Sequence, residues 1–253
     1  MEVCFFFEKK LDGAHYMSTQ VCYGINMKEQ IQKQILIIEN EYNVKILYAC
    51  ESGSRAWGFA SKDSDWDVRF LYLHPPTWYL SVDLETKRDV IELPIENDLD
   101  FSGWDLRKAL KLYYKSNPPL IEWLHSPMAY RDQAGLVDRL RSMLPQFYSP
   151  RSCFYHYLHM AKRNYREHLK GDTVWLKKYL YVLRPVLALQ WMEKSTTPVP
   201  VRFDDLLDTI LPNGITRQAI DQLLVMKKTG DGGKTWPGYP CDKCILGCGT
   251  FAA

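Results

Sequence analysis

The sequence has no long apolar run, no strong net charge, and no internal repeat or low-complexity tract. No stretch reaches 18 consecutive apolar residues, so we expect no membrane-spanning helix. The 253 residues carry 32 basic and 30 acidic side chains, a formal net charge of +2, and 46% of them are hydrophobic. These values are typical of a folded globular protein and exclude a disordered chain.

The sequence also has no cysteine pattern that indicates disulfide pairs, and no secretory signal. The seven cysteines are odd in number, and Cys4, Cys22, Cys50 and Cys153 are scattered along the chain. The apolar patch within residues 1–10 is far shorter than a secretory core. We therefore predict free thiols and a cytoplasmic location.

The pattern of apolar residues predicts an α+β protein. Ile31, Ile35 and Ile38 lie on one stripe of an amphipathic helix that starts near Met27 and covers a sheet. Runs rich in β-branched and aromatic residues predict strands. The predicted strands are residues 44–50, 66–73, 88–95 and 98–103, and the predicted further helices are residues 103–115, 119–125, 151–170, 173–194, 201–211 and 216–228.

This pattern divides the chain into four segments. Residues 1–26 lack a clear period and are predicted to be a weakly structured extension. Residues 27–145 form an α+β domain with a short mixed sheet, and residues 146–228 form an α-helical domain. Residues 229–253 are rich in glycine and proline, which predicts an extended tail.

Two aspartates stand at the start of the second predicted strand. Side chains at positions i and i+2 of a strand face the same way, so Asp65 and Asp67 point together, roughly 7 Å apart. Like charges this close repel, and their burial is costly unless a cation compensates. Hard oxygen ligands without a nearby histidine or cysteine favour Mg²⁺ or Mn²⁺, which complete their shell with substrate phosphates. The pair therefore indicates phosphoryl chemistry.

A second group of residues is suited to bind those phosphates. Gly53 has no Cβ, so backbone amides there can approach a phosphate closely, and Ser54 and Arg55 add donors. Lys108, in the predicted helix 103–115, is either a further phosphate contact or a solvated lysine on a helix face.

These motifs resemble a known superfamily. Gly53-Ser54, ten intervening residues and Asp65-x-Asp67 before apolar positions are similar to the signature of DNA polymerase beta-like nucleotidyltransferases. The stretches GSRAWGF, KDSDWDVRF, GWDLRKAL and NPPLIEWLHSP resemble a bacterial and phage family of predicted nucleotidyltransferases named for an RNA-repair pathway, over residues 27–228. The resemblance implies a polymerase-beta-like domain followed by helices, and two-metal transfer of a nucleoside monophosphate from a nucleoside triphosphate to a hydroxyl.

The resemblance also implies a third carboxylate on a neighbouring strand. We assign it to Asp100, with Asp98, which has the same strand parity, as the alternative. Asp105 is expected to cap the helix that follows. The predicted catalytic and metal-binding residues are Asp65, Asp67 and Asp100, with Mg²⁺ or Mn²⁺, and the predicted nucleotide-binding residues are Gly53, Ser54, Arg55 and Lys108.

The acceptor of the nucleotide is not given by these motifs. Residues 139–184 contain ten basic against two acidic side chains, interleaved with tyrosines. They form either a groove for RNA or another polyanion, or a solvated helical face. The family's association with RNA repair favours an RNA end as acceptor. The alternatives are a protein acceptor, as in antitoxin-type nucleotidyltransferases, and an inactive nucleotide- or RNA-binding module.

Three cysteines in the tail, Cys241, Cys244 and Cys248, have a spacing that suggests a zinc site. Only three thiolates are present and no histidine follows residue 168, so we predict no structural zinc and no folded role for the C-terminus.

Overall fold

Strands and helices alternate through the first half of the chain, and helices make up most of the second. The computed structural model describes residues 19–133, 135–169, 173–230 and 235–237. The strands are β1 (Lys45–Glu51), β2 (Trp66–Leu73), β3 (Val90–Glu92), β4 (Leu99–Asp105), β5 (Ala129–Asp132), β6 (Thr173–Trp175) and β7 (Thr235–Pro237). The helices are α1 (Thr19–Glu41), α2 (Gly53–Trp57), α3 (Pro76–Tyr79), α4 (Leu106–Tyr114), α5 (Pro118–Leu124), α6 (Leu136–Phe147), α7 (Pro150–His168), α8 (Leu176–Lys194), α9 (Phe203–Ile210) and α10 (Ile215–Lys228), with a 3₁₀ turn at Leu84–Thr86.

A five-stranded mixed sheet is the centre of the fold. Its strand order is β3-β4-β2-β1-β5, and β2 and β4 run parallel while the other neighbours are antiparallel. The smaller sheet pairs β6 with β7. The predicted α+β class and the short mixed sheet are confirmed.

The two faces of β2 meet different layers because its side chains alternate in direction. On one face, Val68, Phe70 and Tyr72 are fully buried in a cluster with the apolar stripe of α1. The predicted stripe is confirmed, since Ile31, Ile35 and Ile38 have no exposed surface. On the other face, Leu71 joins the cluster formed with the helices. By the same alternation Asp67 and Arg69 face the helical side.

One hydrophobic core joins the sheet to the helical region. Tyr48 and Leu71 of the sheet belong to the same buried cluster as Leu180 and Leu187 of α8 and Phe203 of α9. The predicted boundary at residue 145 lies inside α6. Burial of shared apolar surface therefore ties the two predicted domains together.

Four segments differ from their predicted structure. α1 begins at Thr19, so part of the predicted weakly structured extension is helical. Gly24 within this helix costs only about 1 kcal/mol relative to alanine, and the remaining residues of α1 offset that cost. β4 continues to Asp105, although a helix was predicted from Gly103, because Gly103 packs on the Phe70 ring, where a Cβ would stand 2.1 Å from Phe70 Cε2. Residues 173–175 and 235–237 pair as strands instead of forming helix and tail.

The structure tests the predictions about thiols and membrane spans in part. Cys50 and Cys153 are buried free thiols, as predicted. Cys241, Cys244 and Cys248, with residues 1–18, lie outside the described residues. None of the helices that the structure describes is long and apolar enough to cross a bilayer.

Candidate active site on the helical face of the sheet

Asp67 and Asp100 face each other across two parallel strands. In the register of β2 and β4, Asp67 is the direct partner of Asp100. Their side chains are 24% and 26% exposed, so both are partly withdrawn from water. Burial raises the pKa of Asp67, the Arg69 guanidinium lowers it, and the charges of Asp100 and Asp65 raise it further. The structure thus brings together two of the three predicted catalytic carboxylates.

Arg69 lies between these two carboxylates. Its Nη2 donates to Asp67 Oδ1 at 3.0 Å and to Asp100 Oδ2 at 2.7 Å. Its Nη1 donates to the main-chain oxygens of Asp100, at 3.0 Å, and of Val68, at 3.2 Å. The sequence contained a signal for this contact, because Arg69 is two residues after Asp67 and strand alternation puts both on one face.

Asp65 lies outside β2, so the prediction that it shares a strand face with Asp67 is wrong. β2 begins at Trp66, so Asp65 belongs to the preceding loop, where its side chain is exposed. Its charge still acts on Asp67. The rule that side chains at i and i+2 face the same way applies only to residues of a paired strand. Pairing of β2 starts where the Trp66 N–H donates to Asp98 O at 2.7 Å, one residue after Asp65.

Gly53 and Ser54 begin the short helix α2 beside Asp67. Gly53 has a φ of +58°, and a Cβ there would stand 2.0 Å from Asp67 Oδ2. The Ser52 N–H donates to Asp67 O at 2.8 Å, which fixes the chain entering the helix against β2. The first amides of a helix have no partner within it, and these amides belong to the residues next to the Asp67 carboxylate.

Arg55 and Lys227 hold the loop that carries Asp65. Arg55 donates to the main-chain oxygens of Ser64, at 2.6 Å, and Asp65, at 3.1 Å, and its guanidinium stacks on Trp66, 3.8 Å from the ring centre. From α10, Lys227 Nζ lies 2.5 Å from Ser61 Oγ and 3.2 Å from Ser64 Oγ. Arg55 was predicted to bind nucleotide, but its hydrogen bonds go to this loop.

Lys108 is not brought to the aspartates. It follows the end of β4, whereas Asp100 is near the start of that strand, and five strand residues span roughly 16 Å. Lys108 Nζ instead pairs with Asp89 Oδ1 at 2.8 Å. Asp105 caps α4 as predicted, accepting from the Arg107 N–H at 2.8 Å. Asp98, the alternative third carboxylate, is exposed and precedes β4.

Glu51 is a residue of this site that the sequence reasoning missed. It is fully buried at the end of β1. Its Oε1 accepts the Asp67 N–H at 2.9 Å and its Oε2 accepts the Tyr130 hydroxyl at 2.5 Å. Burial raises the pKa of Glu51 to about 7, although both hydrogen bonds oppose the shift. An acid ending the apolar run ILYACE, directly before Ser52-Gly53, was the available signal.

Tyr181 of helix α8 lies beside α2 and is near enough to the aspartates for their charges to act on it. Tyr181 packs edge-on against Trp57 of α2 with ring centres 6.3 Å apart. Burial raises the pKa of Tyr181. The negative charges of Asp67 and Asp65 raise this pKa further. The candidate site is therefore bounded by the sheet, by α2 and by α8.

Comparison with known proteins identifies the family. A model of the family described as the RNA repair pathway DNA polymerase beta family, RlaP, matches residues 27–241. The chain belongs to this family. The resemblance seen in the sequence is thereby confirmed, and the matched range contains every residue of the site described above.

Two further similarities accompany the RlaP match. The chain is 47% identical over 205 residues to the Bacillus subtilis (strain 168) protein named Uncharacterized protein YcgL, and the match covers 81% of this chain and 78% of that one. It is also similar to a solved structure of a nucleotidyltransferase-like protein from Exiguobacterium sibiricum 255-15, with 16% identity, a TM-score of 0.31 and coverage of 78% and 73%. The polymerase-beta-like assignment depends on the RlaP match rather than on that superposition.

The donor set suits the divalent ion that polymerase-beta-type chemistry implies. Mg²⁺ is commonly bound by one or two carboxylates and completes its octahedral shell with water and substrate phosphates. Asp67 and Asp100 supply two facing carboxylates, and the loop with Asp65 is adjacent. The residues that the structure describes contain no group of three His, Cys, Asp or Glu side chains arranged to hold a metal, so the predicted three-carboxylate cluster is not formed there.

Proposed function

We propose that this RlaP-family protein is a metal-dependent nucleotidyltransferase that moves a nucleoside monophosphate from a nucleoside triphosphate to a hydroxyl. The observation that supports it is the direct pairing of Asp67 with Asp100 beside Gly53. The family match adds the expectation of nucleotidyltransferase chemistry.

The proposed roles follow from charge and position. Asp67 and Asp100 would hold Mg²⁺ or Mn²⁺, and Asp65 in the adjacent loop would add a third carboxylate. When bound, this ion would supply charge stabilisation for the transferring phosphate and a lowered pKa for the acceptor hydroxyl. The amides at Gly53 and Ser54 would donate to the β and γ phosphates, as helix N-termini do for anions.

The reaction itself is an in-line displacement. The acceptor oxygen forms a bond to the α-phosphorus, the bond from that phosphorus to the β-phosphate oxygen breaks, pyrophosphate leaves, and the hydroxyl proton passes to water. The protein has to hold donor and acceptor in line and to compensate charge, so no covalent intermediate with a side chain is required.

An RNA end is the acceptor we propose. Six basic side chains on α6, α7 and α8 are exposed: Arg139, Arg151, Lys162, Arg163, Arg166 and Lys177. Such a series suits a phosphate backbone. Arg184, counted in the same stretch, is buried against Glu122 and is not available to a partner. The cytoplasmic location remains a prediction.

Labelled nucleotides test this function directly. Purified protein is incubated with each α-³²P nucleoside triphosphate, with Mg²⁺ or Mn²⁺, and with either RNA or total protein as acceptor. We expect label on RNA, lost in Asp67→Asn and Asp100→Asn and kept in Asp132→Asn, a matched change of an exposed acid on β5. Label on protein would support the antitoxin-like alternative, and nucleotide binding without transfer would support the inactive binding module.

A further inference from the structure

Arg69 forms hydrogen-bonded ion pairs with the two carboxylates that the proposed function assigns to a metal ion. Its Nη2 contacts Asp67 Oδ1 and Asp100 Oδ2, one oxygen from each side chain. The Arg69 side chain is only 17% exposed, so this contact is partly shielded from water. A guanidinium remains charged at every accessible pH, so it is a permanent counter-ion for the pair.

A divalent ion that bridged Asp67 and Asp100 would compete with Arg69. It would draw on the same carboxylates, and the guanidinium would lie close enough to repel it. Arg69 uses one oxygen of each carboxylate, so an ion bound through the other oxygens would stand beside the guanidinium. The repulsion between the two positive centres would weaken the binding of the ion while Arg69 keeps these contacts.

Arg69 can release the carboxylates without leaving the site. Its Nη1 bonds to the main-chain oxygens of Asp100 and Val68, and neither bond involves a carboxylate. A small rotation of the guanidinium would free Nη2 while Nη1 stays near its acceptors. The freed N–H groups would then be unpaired beside the metal, where the oxygens of a triphosphate are the natural acceptors.

We propose that Arg69 is the resident counter-ion of Asp67 and Asp100 and exchanges them for a phosphate oxygen of the incoming metal–triphosphate. This inference rests on the proposed function and names Arg69 as a positioning residue in it. Its consequence is that the free metal ion binds weakly and the metal–nucleotide complex binds well, so the carboxylates do not load with metal before substrate arrives.

Mn²⁺ binding measured by electron paramagnetic resonance tests the exchange without relying on activity. We expect Arg69→Gln to bind Mn²⁺ alone at least tenfold more tightly than the wild type, because the competing charge is gone. We also expect the gain in Mn²⁺ affinity on adding a non-hydrolysable nucleoside triphosphate to shrink at least fivefold in this variant. A structural role alone would weaken both kinds of binding.

Arg131→Gln is the matched control. Arg131 pairs with Glu39 Oε1 at 2.7 Å and is 15% exposed, so it is an ion pair of similar burial on the edge strand β5 of the same sheet. Its loss should lower stability and leave Mn²⁺ affinity within twofold. Arg69→Lys keeps the positive charge and is expected to keep the weak Mn²⁺ affinity. Should Arg69→Gln fail to fold, the lysine variant and wild type still report the nucleotide-dependent gain, which must exceed fivefold in both.

The outcomes separate the inference from the proposed function. If Asp67→Asn abolishes Mn²⁺ binding but Arg69→Gln binds Mn²⁺ no more tightly than wild type, the exchange is overturned and the metal site stands. If Mn²⁺ binding is insensitive to Asp67→Asn in both the wild-type and the Arg69→Gln backgrounds, the metal site is elsewhere and both proposals fail.

Discussion

Gly53 and Asp67 lie in direct contact, backbone against carboxylate. A Cβ at Gly53 would stand 2.0 Å from Asp67 Oδ2, and the φ of +58° at Gly53 is one that other residues adopt with strain. Glycine is therefore required at position 53 for two reasons. It adopts the positive φ without strain, and its missing Cβ leaves space for the Asp67 carboxylate. The same contact sets the distance between the start of α2 and the carboxylate.

Substitution of Gly53 by alanine should disable the site far more than it destabilises the fold. The methyl group would push Asp67 away from its partner Asp100, so we expect at least a hundredfold loss of nucleotidyl transfer and loss of Mn²⁺ binding. Gly135→Ala is the control, since Gly135 has a φ of +63° with no atom within 4 Å of the added Cβ. It should cost about 1 kcal/mol of stability and leave transfer intact. Equal transfer by the two variants would contradict this reading.

The sequence predicted the parts of this site that depend on local periodicity. The bounds of β2 agree with the prediction residue for residue, and the predicted apolar stripe of α1 is buried in one cluster with Val68 and Phe70 of that strand. Asp100 was predicted on the correct neighbouring strand. Its direct pairing with Asp67 depends on how the two strands align in the fold, which the local sequence pattern does not specify.

The missed features depend on contacts between distant segments. Lys227 reaches Ser61 across 166 positions of sequence, and Tyr130 reaches Glu51 across 79. The prediction ended the strand and began the helix at Gly103, whereas packing on Phe70 and pairing with β2 continue β4 to Asp105. Lys108 and Arg55 were chosen for their charge, and their actual partners could be known only from the fold.

The contribution of Glu51 to the free energy of unfolding, measured without metal, should fall as the pH rises from 5 to 8. The pKa of Glu51 is 4.5 in a solvated chain and about 7 in the folded protein. Between these values the folded protein keeps a proton on Glu51 that the unfolded chain has lost, so the contribution of Glu51 to stability is greatest below pH 4.5 and declines up to about pH 7. Urea unfolding in EDTA at pH 5, 6, 7 and 8 measures the slope.

Glu51→Gln is the comparison for that slope. Glutamine has the same shape, so its oxygen can accept the Asp67 N–H, and it does not titrate. We expect the stability of the wild type relative to Glu51→Gln to fall between pH 5 and pH 7, whereas the shifted groups that remain, the Asp67 carboxyl and the histidines with a lowered pKa, act in both proteins. Parallel wild-type and variant curves would show that Glu51 does not titrate in this range.

The ion pair of Glu122 and Arg184 should be required for the shared core. Arg184 is 4% exposed and its Nη2 contacts Glu122 Oε1 at 3.0 Å, while the other Glu122 oxygen accepts from Trp57. Arg184→Met leaves a buried carboxylate without its cation, which typically costs about 3–5 kcal/mol. Arg88→Met is the control, because the Arg88–Glu92 pair is 69% and 61% exposed and should contribute less than about 1 kcal/mol. Chemical denaturation of both variants measures the difference, and similar losses would argue against this role for Arg184.

Lys227 should control the order of the loop that carries Asp65. Its ammonium bonds to the hydroxyls of Ser61 and Ser64, and burial lowers the pKa of Lys227, partly opposed by Asp63. Lys227→Met removes both bonds. Because methionine keeps the side-chain volume, we expect little change in global stability.

The loop itself should respond strongly to that change. Amide hydrogen exchange at residues 61–65 should become at least fivefold faster in Lys227→Met, and nucleotidyl transfer should fall in proportion, because Asp65 would be held less often near Asp67. Lys228→Met, at the exposed neighbouring position, should leave both unchanged. Unaltered exchange in Lys227→Met would mean that Arg55, which bonds to the main chain of the same loop, is sufficient to hold Asp65 in place.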